Sequence, residues 1–258
     1  MHWPGTEGVT DSAAPQPESA DEMTMHTVKA FDEELGHLAA EVARMGGLAE
    51  AQIADAIETV VRRELPLATQ VIERDRRLDE MNADIEAKGI RLIALRQPMA
   101  RDLRQAMCAM KIAGDLERIG DLAKNIAKRA VVLAESEPIT PLTRSIERMG
   151  RLVASRVKEV LDAYTRQDVE RAISVWTRDD EVDGHYDSLF RELLTYMMGD
   201  PRTIQAGAHL LFVAKNLERI GDHATNIAEL VHYEITGEQL GMDRPKLDAV
   251  RPGGDPSP

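Results

Sequence analysis

Leu116-Glu117-Arg118-Ile119-Gly120-Asp121-Leu122-Ala123-Lys124-Asn125-Ile126-Ala127 returns as Leu217-Glu218-Arg219-Ile220-Gly221-Asp222-His223-Ala224-Thr225-Asn226-Ile227-Ala228, an offset of 101 residues with ten of twelve positions identical. Self-similarity at a long, fixed spacing marks a duplicated supersecondary unit. Farther out, Met45-Gly46 matches Met149-Gly150, and Arg74-Asp75 with Asp79 matches Arg178-Asp179 with Asp183, all at an offset of 104. The change of offset falls in the loop before each copy of the quoted stretch, where differences in length are tolerated.

The quoted stretch is helical. Ile112, Leu116, Ile119, Ala123, Ile126 and Ala130 share one direction at helical spacing and define a buried face. Leu35, Leu38, Val42, Met45, Leu48, Ile53, Ile57 and Val60 draw a similar stripe on a first helix from about Thr27 to Arg63. A second helix is expected from Pro66 to Leu95 and a third from Pro98 to just before Pro138, each opening on a proline that the first turn accepts. Thr140-Pro141 and Asp200-Pro201 open the fourth and sixth helices in the same way, and Asp168 is the expected N-cap of the fifth. Short connections make successive helices antiparallel neighbours. The expected fold is all-α: two tandem three-helix bundles, residues 27–137 and 138–237, with six long antiparallel helices. They lie between a disordered extension, 1–26, and a disordered tail, 238–258; Met23 and Met25 are alternative starts.

Composition narrows the function classes. Aromatic residues are only 3% of the chain, which suits straight helices better than strands. A net charge of −13 opposes a nucleic-acid role, which needs a concentrated basic face. The single cysteine, Cys108, excludes an internal disulfide framework and a thiolate zinc site. Without an apolar run of membrane-spanning length or a signal-peptide pattern, the expected location is the cytoplasm. Neither a GxxxxGK[ST] nor a GxGxxG phosphate loop occurs, and no Ser/His/Asp or Cys/His nucleophile arrangement is visible.

The chemistry lies in acids at i, i+4 spacing. Glu117 and Asp121 stack on one helix surface away from the apolar face, as do Glu218 and Asp222, while Asp75 with Asp79 and Asp179 with Asp183 form matching pairs on the preceding helices. Taken alone such pairs mean little, because 45 of 258 residues are acidic and most pairs are solvated faces. Their retention is informative by contrast: residues 45–63 and 149–167 share only four identities in nineteen. Packing accounts for shared Ile, Ala and Gly, not for shared polar groups on the other face. The alternative is an ion-pair scaffold using Arg74, Arg118, Arg178 and Arg219. Oxygen-only donors favour hard ions such as Mg, Mn, Ca or iron, with more than one per site allowed. His223 and His185 are candidate supplementary ligands, and Asn125 and Asn226 candidate supporting groups.

The paired signatures DLERIGDLAKNIAKR and NLERIGDHATNIAEL, the RDxxxD segments before them and QPMARDLR resemble the PhoU family of phosphate-transport regulators over about residues 25–237. The resemblance implies two three-helix bundles side by side with metal clusters on Asp75, Asp79, Glu117 and Asp121, and on Asp179, Asp183, Glu218 and Asp222. It also implies negative regulation of phosphate uptake and of the starvation response, with a PhoR-type sensor histidine kinase and the ATPase subunit of the Pst phosphate ABC transporter as partners; homodimerisation stays open. Two departures are visible. Lys124 and Leu122 stand where the second unit has Thr225 and His223, so the two sites are expected to differ in metal affinity, and MMGDPRTI lacks the fuller QPMARDLR pattern. Two rivals remain. A di-iron carboxylate enzyme would use ExxH pairs such as Glu34 with His37 and Glu229 with His232, and a metal-free interaction scaffold would keep the adaptor role and drop the ions.

Overall fold

The computed structural model describes residues 20–137 and 139–241, with side chains from residue 31 onward. No strand occurs among the described residues. The helices are α1 (Ala20–Arg62), α2 (Leu65–Arg96), α3 (Ala100–Leu133), α4 (Thr140–Arg166), α5 (Val169–Thr177), α6 (Asp180–Gly199) and α7 (Ile204–Thr236), with a 3-10 turn at Pro201–Thr203. The expected extension and tail largely coincide with residues 1–19 and 242–258, which lie outside the described residues. Helix α1 starts at Ala20, earlier than the expected Thr27.

Local signals account for most boundaries. Pro66 and Pro141 sit in the first turns of α2 and α4, and Asp168 caps α5 by accepting from the Arg171 amide at 3.0 Å. Asp200 caps the 3-10 turn through the Arg202 amide, also at 3.0 Å. Pro98 instead lies outside α3, whose N-cap position is Met99. Helix α7 stops at Gly237, whose φ of 80° is the left-handed cap conformation glycine adopts without strain.

One expected helix is broken. The fifth becomes α5 and α6, separated at Arg178 and Asp179; at the break the Arg178 Nε donates to the Ser174 carbonyl at 2.9 Å and its Nη2 reaches Glu159. The counterpart Arg74 stays within a continuous helix and pairs with Asp55 on α1 at 2.7 Å. Asp55 and Glu159 are themselves an offset of 104 apart, so this ion pair is duplicated.

Helices α1, α2 and α3 form one bundle, and α4 to α7 the other. They meet through equivalent helices, α3 on α7 and α1 on α4, and share one continuous apolar core. The repeated Met-Gly pair is explained at this seam. A Cβ on Gly46 would stand 2.7 Å from Leu161 of α4, and one on Gly150 would stand 2.6 Å from Ile57 of α1. The contact is reciprocal, since Ile57 and Leu161 are also equivalent positions. No helix among the described residues is long and apolar enough to cross a membrane.

Candidate metal centre

In the first repeat, α2 and α3 approach at Gly120, where an added Cβ would collide with Leu78 and meet Asp75 Oδ1 at 3.2 Å. The close approach carries Asp75 into the bundle, where it is 2% exposed, and brings Asp79, Glu117 and Asp121 to the mouth of the same seam. Burial pushes the Asp75 carboxyl up even though Lys124 opposes the shift. Glu117 is likewise raised, by burial and then by the charges of Asp121, Asp79 and Asp75. The Lys124 ammonium bridges the two helices, donating to Asp75 Oδ2 and Asp121 Oδ1. Beneath it, Gln52 of α1 donates to Asp75 Oδ1 at 3.2 Å and to the Gly120 carbonyl at 3.3 Å.

The second repeat places Asp179, Asp183, Glu218 and Asp222 at the α6–α7 seam. Here Thr225 occupies the position of Lys124, and its hydroxyl donates to Asp179 Oδ1 at 2.7 Å. Burial and the charges of Glu218, Asp179 and Asp183 push Asp222 up to about 6, although part of its side chain meets solvent. Asp183 is raised by burial and by Asp179, Glu218 and neighbouring acids. Lys215, half exposed on the rim, donates to Glu218 Oε1 at 2.6 Å, while Glu218 Oε2 is buried without a hydrogen-bond partner among the described residues. Arg156 of α4, equivalent to Gln52, ion-pairs with Glu181 and reaches the Arg178 carbonyl at 3.5 Å.

The second cluster fits a hard cation in donor chemistry: four carboxylates repel one another, and one buried oxygen, Glu218 Oε2, lacks a hydrogen-bond partner among the described residues. Its geometry is not preset, because no three Asp, Glu, His or Cys side chains among the described residues stand close enough to hold a metal ion. The carboxylates would have to swing together around the ion. The first cluster fits less well, since Lys124 already engages one acid from each helix.

The candidate supporting groups fare differently. His223 is not at the carboxylate mouth; its ring is buried in the α3–α7 seam, with Nδ1 2.8 Å from Asp115 Oδ1 of the other repeat. A helix advances ~100° per residue, which turns His223 away from Asp222 next to it. His185 and Asn125 are exposed and Asn226 is half-buried. Arg74 and Arg178 form ion pairs with Asp55 and Glu159, outside the eight motif acids, and Arg118 and Arg219 are exposed. The ExxH residues are engaged separately: Glu34 pairs with Arg96 at 2.8 Å, Glu229 accepts from Trp176 at 3.0 Å, and His232 contacts the Glu238 carbonyl at 2.9 Å. Gln52, Arg156 and Lys215 were not among the sequence candidates. Aligning the repeats at offset 104 pairs Gln52 with Arg156, the one signal that points to them.

A duplicated three-helix bundle with an acidic cluster on each repeat is thus an all-α, twofold-repeated protein with carboxylate-lined helix seams. The family model described as PhoU domain matches residues 42–130 and 146–231. The chain is 65% identical over 228 residues to the phosphate-specific transport system accessory protein PhoU homolog of Caulobacter vibrioides, covering 88% of this chain and 99% of that one. The correspondingly named protein of Rhizobium meliloti is 52% identical, over 86% of this chain and 94% of the relative. Among solved structures, PhoU from Pseudomonas aeruginosa superposes with a TM-score of 0.76 at 41% identity, covering 81% of this chain and all of that one. The phosphate transport system regulatory protein PhoU from Streptococcus pneumoniae gives a TM-score of 0.76 at 30% identity, covering 82% and 100%. The chain belongs to the PhoU family. These relatives carry the names of accessory and regulatory proteins, not of enzymes, and the di-iron enzyme alternative is set aside.

Proposed function

We propose that the chain is a cytoplasmic negative regulator of phosphate uptake and of the phosphate-starvation response. It acts as an adaptor between the ATPase subunit of the Pst transporter and a PhoR-type sensor histidine kinase, and a hard cation such as Mg, Mn or iron sets the shape of its carboxylate seam. The observation that carries the cation part is the second cluster, where Glu218 Oε2 is buried without a hydrogen-bond partner among the described residues and Asp222 is raised by burial and then by its acidic neighbours. A bound cation supplies positive charge that removes this repulsion. The residues do the rest: Asp179 and Asp183 at the start of α6 and Glu218 and Asp222 on α7 are the groups that would hold it, and Thr225 fixes Asp179 in place. Drawing the acids together would lock α6 against α7 and order the face offered to partners.

The test is binding of the full chain to the purified ATPase subunit and to the cytoplasmic part of the kinase, in Mn2+ and in chelator. Binding to both partners that weakens in chelator supports the proposal; binding to neither overturns the adaptor role. Equal binding in both conditions leaves the metal-free scaffold, which the absence of a preset three-donor group among the described residues favours.

A further inference from the structure

We infer that Lys124 is the resident cation of the first cluster, so that metal loads at the second cluster alone. The inference rests on the cation reading above and concerns how the two repeats divide that role. Within the repeated twelve-residue stretch, position 124 is where the formal charge differs, since Thr225 is its counterpart and the flanking Asn125-Ile126-Ala127 is repeated as Asn226-Ile227-Ala228. The Lys124 ammonium joins one carboxylate of α2, Asp75, to one of α3, Asp121, which is the cross-helix link a bound ion would make. It is anchored rather than roaming: its side chain is 21% exposed and that of Asp75 only 3%. A divalent ion placed between the same two acids would stand against this ammonium, and like charges at contact distance repel strongly in a partly buried seam.

At the second cluster the matched position carries no charge. Thr225 offers Asp179 a hydroxyl without charge. Lys215 donates to Glu218, three residues along its own helix, and stands 5.2 Å over the Tyr186 ring of α6; at 49% exposed it lies on the rim of the seam, where Lys124 is held inside the first. The buried cation of this repeat, Arg156, is engaged by Glu181 and the Arg178 carbonyl. The exchange of Gln52 with Lys124 for Arg156 with Thr225 therefore moves the internal positive charge from the third helix of the repeat, which carries the ExxxD motif, to the first.

Mn2+ is titrated into the chelator-treated full chain and bound ions are counted, with circular-dichroism melting to establish folding of each variant. Wild type should lose its Mn2+ in E218Q and keep it in E117Q. K124T, which copies the second repeat, should raise the count about twofold, with the added ions lost again in K124T/E117Q. The converse variant, T225K, should lose the wild-type ions, and it decides the matter if K124T does not fold. Wild-type Mn2+ lost equally in E117Q and E218Q, or retained in T225K, overturns the inference. Wild type without Mn2+ beside a K124T that binds it through Glu117 supports the role of Lys124 while sinking the cation reading of the second cluster; no Mn2+ in either overturns both.

Discussion

The His223 ring of α7 lies 2.8 Å from the Asp115 carboxylate of α3, joining the two repeats at a position where their sequences differ. The equivalent of His223 is Leu122, and that of Asp115 is Asn216. Both partners of the bond are largely buried, with side chains 11% and 14% exposed. Replacing His223 by Leu leaves the Asp115 carboxylate without this partner, and the expected loss is about 1 to 3 kcal/mol of unfolding free energy. H223L/D115N should lose less than the two single variants added together. Urea denaturation of the four proteins measures this coupling; strictly additive losses would mean that the bond contributes nothing to the seam.

Gly120 and Gly221 occupy the same place, yet alanine should affect them unequally. At Gly120 the new methyl meets both Leu78 and the buried Asp75, whereas at Gly221 it stands 3.1 Å from Val182 Cγ1. Overpacking costs about 1 to 3 kcal/mol, and G120A should lie at the upper end and G221A at the lower. Thermal melting of both variants gives the order, and a larger drop for G221A would contradict the packing described for the first seam.

Glu234 supplies a pH dependence. It is 2% exposed, one oxygen accepts from Gln167 Nε2 at 3.0 Å, and the other is buried without a partner among the described residues. Burial pushes its carboxyl up to about 7, although Gln167 and Arg101 pull the other way. A carboxyl raised on folding binds its proton more tightly in the native state, so its stabilising contribution is complete below the unfolded value and is lost as pH rises through about 7. The loss is on the order of 2 kcal/mol between pH 5 and 8. Asp222, also raised, acts in the same direction. E234Q should therefore flatten most of the decline in urea midpoint over that range, and an unchanged slope would show that Glu234 does not titrate there.

How much of this was legible follows from where the information lies. The duplicated LERIGD stretch and the proline-marked starts disclose helices and repeat because both are local patterns. The break at Arg178 was hidden: Trp176-Thr177-Arg178-Asp179-Asp180 contains neither Gly nor Pro, and the bonds of Arg178 to Ser174 and Glu159 at the break are visible only in the folded chain. The orientation of His223 was hidden because Asp115 becomes its neighbour only when α3 packs on α7. Lys124 was visible as a departure between repeats, but its bridging role needed α2 and α3 in contact. Gln52 and Arg156 lie on the diverged first helix of each unit, where little else matches, and only the folded seams give that pair meaning.

Metal content bears most directly on the central claim, a carboxylate seam in the second repeat that holds a hard cation. Elemental analysis should be made on the full chain purified without chelator or affinity tag, beside variants carrying E117A/D121A and E218A/D222A. The account predicts stoichiometric Mg, Mn or iron in wild type and in the first variant, and its loss in the second. Metal absent from wild type even after addition of all three ions, or retained in E218A/D222A, would contradict it.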